Sequence, residues 1–156
     1  MVKEEPVSLR SGNISAVRTV MTAVEGTIGP KGLDTMLLDP YGEVTITNDG
    51  YMILSMMDAT HPVTKLLIHA IKTQQEEVGD GTTTAALMAG ALVLEGYQFL
   101  DNGVSVAHLL EGLEEASRRA EEIYREELSF QDKIDYDEKV SYIAGRENQE
   151  ITDVIV

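Results

Sequence analysis

The chain contains no cysteine, which excludes a disulfide framework and thiol chemistry and fits a reducing cytoplasm. Basic residues are scarce. Twelve lysines and arginines stand against 27 aspartates and glutamates, a formal net charge of −15. That balance argues against a nucleic-acid backbone or an anionic membrane as partner. A nucleotide stays admissible, because backbone N–H groups and Mg²⁺ reverse the field locally. The longest uncharged apolar run, near Ala85 to Leu94, is too short to span a bilayer. The start, Met1-Val2-Lys3-Glu4-Glu5-Pro6, lacks the apolar core of a signal peptide. There is no GxxxxGK followed by Ser or Thr, so this is not a P-loop NTPase. No Ser-His-Asp arrangement can be argued, and the acids between Asp39 and Asp49 have the wrong spacing for an EF-hand. Repeats and low-complexity tracts are absent as well. A soluble, cytoplasmic chain of one domain is expected, long enough at 156 residues to bury a core.

The pattern of apolar residues predicts a mainly α fold, a helical bundle with a small β-hairpin. Residues 1–12 read as a flexible arm. Ser11 or Asn13 caps a first helix to about Thr27, with Ile14, Val17, Val20, Met21, Val24 and Ile28 at helical period. Gly29-Pro30 stops it. Thr35 to Asp39 and Glu43 to Thr47 read as strands around the turn Pro40-Tyr41-Gly42. A short helix covers about Tyr51 to Met57. Pro62 opens another to about Glu77, and one from Thr82 to Leu100 is apolar nearly all round. Ser105 caps a helix to about Glu127 whose second half reads as a solvated face with ion pairs one turn apart. Residues 129–135 read as a linker, followed by short helices over 136–144 and 147–156 with Gly145 between them.

Chemistry concentrates in three segments. Val78-Gly79-Asp80-Gly81-Thr82-Thr83-Thr84 sets a carboxylate between two glycines, then three hydroxyls at the start of a helix. Glycines let backbone approach a ligand, helix-start N–H groups attract anions, and a carboxylate can hold Mg²⁺. The segment reads as a phosphate-plus-Mg²⁺ cradle or, equally, as a helix capped after a glycine turn. Thr27-Ile28-Gly29-Pro30-Lys31-Gly32-Leu33-Asp34 is a second glycine turn, readable as a plain helix stop. Val44-Thr45-Ile46-Thr47-Asn48-Asp49-Gly50 is a strand closed by a turn carrying a carboxylate, readable as an Asx turn.

In this order, the three segments resemble the ATP site of the chaperonins, and the strings GTIGPKGLDTMLLDPYGEVTITNDG and HPVTKLLIHAIKTQQEEVGDGTTTAALMAGAL resemble the archaeal and eukaryotic type II branch most. The likeness runs from about Asn13 to about Ile151, interrupted around Arg125 to Asp137. It implies the N-terminal part of an equatorial domain over residues 13–128, with 129–156 a linker and the start of an intermediate-domain-like segment. Asp80 then serves as the Mg²⁺ ligand at the ATP phosphates, and Gly81, Thr82, Thr83 and Thr84 wrap those phosphates. Thr27, Ile28, Gly29 and Pro30 pack against the nucleotide, Asn48 and Gly50 reach it, and Asp49 is the catalytic carboxylate that orients the attacking water. Lys31 is either solvated or a point cation toward phosphate.

The resemblance also implies missing parts. The second catalytic aspartate, the adenosine-holding strand and the apical domain all fall beyond residue 156 in the family's order. This sequence is therefore expected to be an excerpt or a truncated relative. The implied activity is that of an ATPase driving protein folding in a ring. Its partners are ATP or ADP, chaperonin-like subunits in a homo- or hetero-oligomer and, only in the intact ring, unfolded proteins. For this chain alone, weak nucleotide binding and little or no hydrolysis are expected. The helix from Thr82 to Leu100 would have exposed apolar surface, which favours a rival reading: a non-enzymatic assembly module with vestigial nucleotide binding. A third reading, another phosphate-handling enzyme, lacks a general base that can be named.

Tyr51 stands where the family usually has a small residue, and either crowds the site or fills space. Thr64 and His69 are polar where relatives tend to be apolar. His61 reads as structural and His108 as a helix-surface residue. His61 and His69 are eight apart with no clear third ligand, which argues against zinc. The methionines, Met52, Met56, Met57 and Met88 among them, read as core filler.

Overall fold

Every expected element is present, with some shifted ends. A computed structural model of the chain describes residues 9–29, 32–128, 136–145 and 147–155. The order is α1 (Leu9–Val24), β1 (Thr35–Leu38), β2 (Val44–Thr47), α2 (Gly50–Ser55), α3 (Pro62–Glu77), α4 (Thr82–Asp101), α5 (Val106–Ile123), α6 (Tyr136–Ala144) and α7 (Gln149–Ile155). A 3₁₀ turn, Glu25–Thr27, follows α1, and a π turn, Tyr124–Leu128, follows α5. The chain divides into two compact units, Met1–Leu109 and Leu110–Val156, a division that falls inside α5 and ahead of the boundary drawn at residue 128.

Helix α1 begins before its expected caps, so residues 9–12 are helical; the rest of the expected arm lies outside the described residues. The reason is tertiary. Arg10 pairs with Asp101 and lies over the Tyr97 ring, 5.8 Å from its centroid, and Asn13 Nδ2 donates to Tyr97 Oη at 3.0 Å. These contacts tie the first turns of α1 to the end of α4, where local capping signals carry no information.

The core of the first unit joins α1, α2, α3 and α4. Val17, Val20, Val24, Ile53, Leu54, Leu67, Ile71 and Ala86 form one buried cluster, each larger side chain contributing about 1.5–3 kcal/mol by burial. Gly90 lets α1 come close to α4, because a Cβ there would lie 2.5 Å from Met21 Cγ and Sδ. The antiparallel hairpin pairs Thr35 with Thr47, Met36 with Ile46, Leu37 with Thr45 and Leu38 with Val44. Asp39 and Glu43 lie just past the four-residue strands: the Asp39 amide still donates to Glu43 O at 3.0 Å, while Asp39 Oδ1 accepts from the amides of Tyr41 and Glu43, each at 2.8 Å. One hairpin face, with Leu37, turns to the core, while Met36, Leu38, Val44 and Ile46 are all exposed.

The methionine expectation needs correction. Met57 packs on the core, but Met52, Met56 and Met88 are exposed. Helical spacing identified a shared stripe and could not tell which stripe faces neighbours. Met88, Leu92 and Phe99 leave one side of α4 apolar and open, as its all-round hydrophobicity implied. Tyr51 packs at the edge of the core, filling space there. Ser105 caps α5 by accepting from the His108 amide at 3.3 Å, and ion pairs such as Arg118 with Glu115 at 2.6 Å line its exposed side.

In the second unit α6 packs on α7, burying Ser141 and Thr152. Asn148 Oδ1 caps α7 by accepting from the Glu150 amide at 2.9 Å. The linker expected over 129–135 lies outside the described residues.

Candidate functional site

The end of α1 forms the first wall. After Val24 the helix tightens into the 3₁₀ turn, and the buried Thr27 hydroxyl donates to the Val24 carbonyl at 2.8 Å. Ile28 is extended and exposed, and Gly29 takes φ +87°, a left-handed conformation that glycine adopts without strain. The amide of Leu33 donates to Gly26 O and that of Gly32 to Gly29 O, both at 2.9 Å, closing the turn. Sequence reasoning did not single out Gly32, yet a Cβ there would fall 2.2 Å from Thr27 O. Pro30 and Lys31 lie outside the described residues.

The second wall follows β2. Asp49 caps α2, its Oδ1 accepting from the Met52 amide at 2.6 Å, while its own amide donates to Thr47 Oγ1 at 3.1 Å. The Asx-type cap is therefore real geometry. It engages one carboxylate oxygen of an exposed side chain and leaves the other outside the cap. Asn48 is half-buried and Gly50 buried beside it.

The floor is the turn from α3 into α4. Gly79 and Gly81 both have positive φ, +78° and +74°, a requirement that explains two glycines around one aspartate. Asp80 does not cap α4. Its Oδ1 accepts from the neighbouring Gly81 amide at 2.7 Å, and the N-cap position is Gly81, which has no side-chain cap. The first helical hydrogen bond runs from the Ala85 amide to Gly81 O at 2.9 Å, so the amides of Thr82, Thr83 and Thr84 precede the helical ladder. Thr82 is buried, Thr83 half-buried and Thr84 exposed. Gln74, also not singled out from sequence, donates from Nε2 to Asp80 O at 2.9 Å.

The three segments meet at Thr83. Its hydroxyl oxygen lies 3.5 Å from Thr27 Oγ1, and a Cβ on Gly50 would lie 2.5 Å from that same hydroxyl oxygen. The arrangement gathers N–H groups at a 20-residue helix start, threonine hydroxyls and two exposed carboxylates, Asp49 and Asp80. Such a set suits an anion held together with a hard cation. Two clefts of about 310 and 370 Å³ lie away from it, the first lined by Lys65, His69 and Lys72 among others, the second by Ser15, Asp58, His61 and Thr64 among others. His61 is structural: its Nδ1 accepts from the Val63 amide at 3.2 Å and caps α3. Among the described residues no three His, Cys, Asp or Glu side chains cluster to hold a metal, so any cation here needs ligand oxygens besides Asp80. No helix among those residues is long and apolar enough to cross a membrane.

Residues 20–147 match the TCP-1/cpn60 chaperonin family. The chain is 42% identical over 133 residues to thermosome subunit alpha of Archaeoglobus fulgidus, covering 85% of this chain and 24% of that one. It is 46% identical over 115 residues to thermosome subunit 3 of Haloferax volcanii, covering 74% and 22%. Its fold superposes on the crystal structure of a group III chaperonin in the open state with a TM-score of 0.83 at 39% identity, over 96% of this chain and 31% of that chain. The chain thus spans about a quarter of the length of these curated relatives. Its fold is that of part of a chaperonin equatorial domain. With most of its length matched in sequence and nearly all of it in structure, the chain belongs to the TCP-1/cpn60 chaperonin family.

Proposed function

We propose that this chain is the N-terminal equatorial portion of an ATP-dependent chaperonin subunit and that it binds the phosphates of Mg-ATP or Mg-ADP. Asp80 holds Mg²⁺ through a carboxylate oxygen, and the amides and hydroxyls from Gly81 to Thr84 bind the phosphates. Thr27, Ile28 and Gly29 contribute one wall, Asn48 and Gly50 the other, and Asp49 orients the attacking water. Bound Mg²⁺ would neutralise charge on the phosphate oxygens. The residues fit such a group: the α4 start carries no side-chain cap that would occupy the anion's place. The observation that carries this reading is the meeting of Thr27, Gly50 and Thr83, which brings three separate segments to one helix start.

ATP-driven folding of unfolded proteins belongs, in this reading, to a cytoplasmic homo- or hetero-oligomeric ring of full-length subunits. For this chain alone the phosphate contacts support binding of about 4–6 kcal/mol, millimolar to high micromolar, with very slow hydrolysis. Calorimetric titration with Mg-ATP on the wild type and Asp80→Ala tests it, with mass measured by light scattering on the same samples. Mg²⁺-dependent binding lost on substitution supports the reading; a folded wild type that binds no nucleotide overturns it.

The open hairpin face of Met36, Leu38, Val44 and Ile46 favours a second reading, an assembly module with vestigial nucleotide binding. If self-association or pairing with full-length subunits survives Asp80→Ala and Asp49→Ala, and nucleotide never alters it, the second reading replaces the first.

A further inference from the structure

We propose that Gln74 is the positioning residue for the Asp80 carboxylate. The proposal deepens the phosphate-and-Mg²⁺ reading and rests on it for its functional consequence.

Gln74 holds the α3–α4 turn on both sides of its bend. Its backbone carbonyl accepts from the amides of Val78 at 3.0 Å and Gly79 at 3.3 Å, ending α3. Its side-chain Nε2 then reaches past these residues and donates to Asp80 O at 2.9 Å. That carbonyl and the Gly81 N–H belong to one planar trans peptide, so they point in opposite directions. Fixing the carbonyl toward Gln74 therefore aims the Gly81 N–H away from it. That N–H is the group that donates to Asp80 Oδ1 at 2.7 Å. The chain of contacts runs from the Gln74 amide through one rigid peptide to one oxygen of the carboxylate, leaving the other oxygen for a ligand.

The turn needs such a hold. It contains two glycines at positive φ, Gly79 and Gly81, and glycine is the residue with the widest backbone freedom. Asp80 itself is exposed. A neighbouring glutamine cannot substitute for Gln74: Gln75 lies one residue further round α3 and its Oε1 is buried without a partner.

The test is a double-mutant cycle with Gln74→Leu, which keeps bulk but cannot donate, and Asp80→Ala. Mg-ATP affinity is read by calorimetry, with and without Mg²⁺, and a melting curve confirms folding of each variant. Gln74→Leu should weaken Mg-ATP binding about three- to tenfold, the value of one hydrogen bond. In the Asp80→Ala background the same change should have less than about a twofold effect on the residual, Mg²⁺-independent binding, because coupled groups are non-additive. Gln98→Leu, the same chemical change on the exposed side of α4, should leave binding unchanged. Equal losses in both backgrounds, or no loss in either, overturn the proposal. If the wild type binds no nucleotide, the phosphate reading fails separately, and backbone order then decides the role of Gln74. A ¹⁵N order parameter at Gly81 that falls from about 0.85 to below about 0.6 in Gln74→Leu supports positioning, and an unchanged value overturns it.

Discussion

Thr83 and Gly50 are packed so closely that a methyl group on Gly50 would lie 2.5 Å from the Thr83 hydroxyl oxygen and 2.8 Å from its amide nitrogen. The obstructing atoms include backbone, which cannot swing aside as a side chain would. Gly50→Ala should therefore push α2 from the start of α4 and destabilise the fold by about 1–3 kcal/mol. Denaturant unfolding of the two proteins measures this. The same variant should lose Mg-ATP binding even where it remains folded, since Asp49 caps the displaced helix and Asn48 lies directly before that cap.

Asp49 caps α2 and, in the proposed reading, also orients the attacking water. Its Oδ1 caps α2 through the Met52 amide, so Asp49→Ala should cost about 1 kcal/mol of stability. Asparagine also caps well, and Asp49→Asn should keep most of that stability while removing the carboxylate charge. Comparing melting temperature with single-turnover ATP hydrolysis, measured in a ring-forming full-length relative carrying the same change, distinguishes cap from catalyst. Hydrolysis retained by Asp49→Asn would leave the residue with only its structural duty.

Gly90 and Met21 form a second close pair, this one between a backbone and a side chain. Gly90→Ala should destabilise by about 1–3 kcal/mol through overpacking. Met21→Ala removes the obstructing Cγ and Sδ atoms and leaves a gap of its own. The double variant should therefore lose less stability than the two single losses added together, a coupling that equilibrium unfolding of all four proteins reveals.

Met36 and Ile46 face each other across the hairpin on its open side, 71% and 67% exposed. Replacing both with lysine should change stability by no more than about 0.5 kcal/mol per site. If this face joins copies of the chain, light scattering of a concentration series should show the wild type gaining mass while the double lysine variant does not. Equal masses for the two proteins would assign self-association to another surface, such as Met88, Leu92 and Phe99 on α4.

Elements were legible in the sequence where local chemistry decides them. The hairpin followed from alternation around Pro40-Tyr41-Gly42, and the α3 start from Pro62. Boundaries failed where distant contacts rule, as at Leu9, held in α1 by the pairing of Arg10 with Asp101. Which apolar residues stay exposed, Met52 and Met88 among them, was illegible for a related reason: a helical stripe shows which residues share a side and not which side is left uncovered. The candidate site was legible as three segments. Their meeting rested on resemblance, because nothing in the spacing of Thr27 and Thr83 says that their hydroxyls are neighbours. Gln74 was invisible, since a glutamine beside a glutamine carries no local signal for which one bends back to a later carbonyl.

The hydroxyls of Thr27 and Thr83 are 56 positions apart in the chain and adjacent in space. No short segment can assemble this corner, because α1, the hairpin, α2, α3 and the first turn of α4 must all be in place before the last wall arrives. The loop-closure entropy of that separation is met only when the core forms. A ligand of this corner is consequently a clock for folding: its affinity should emerge late in refolding, with the slowest phase, and report completion of the whole first unit.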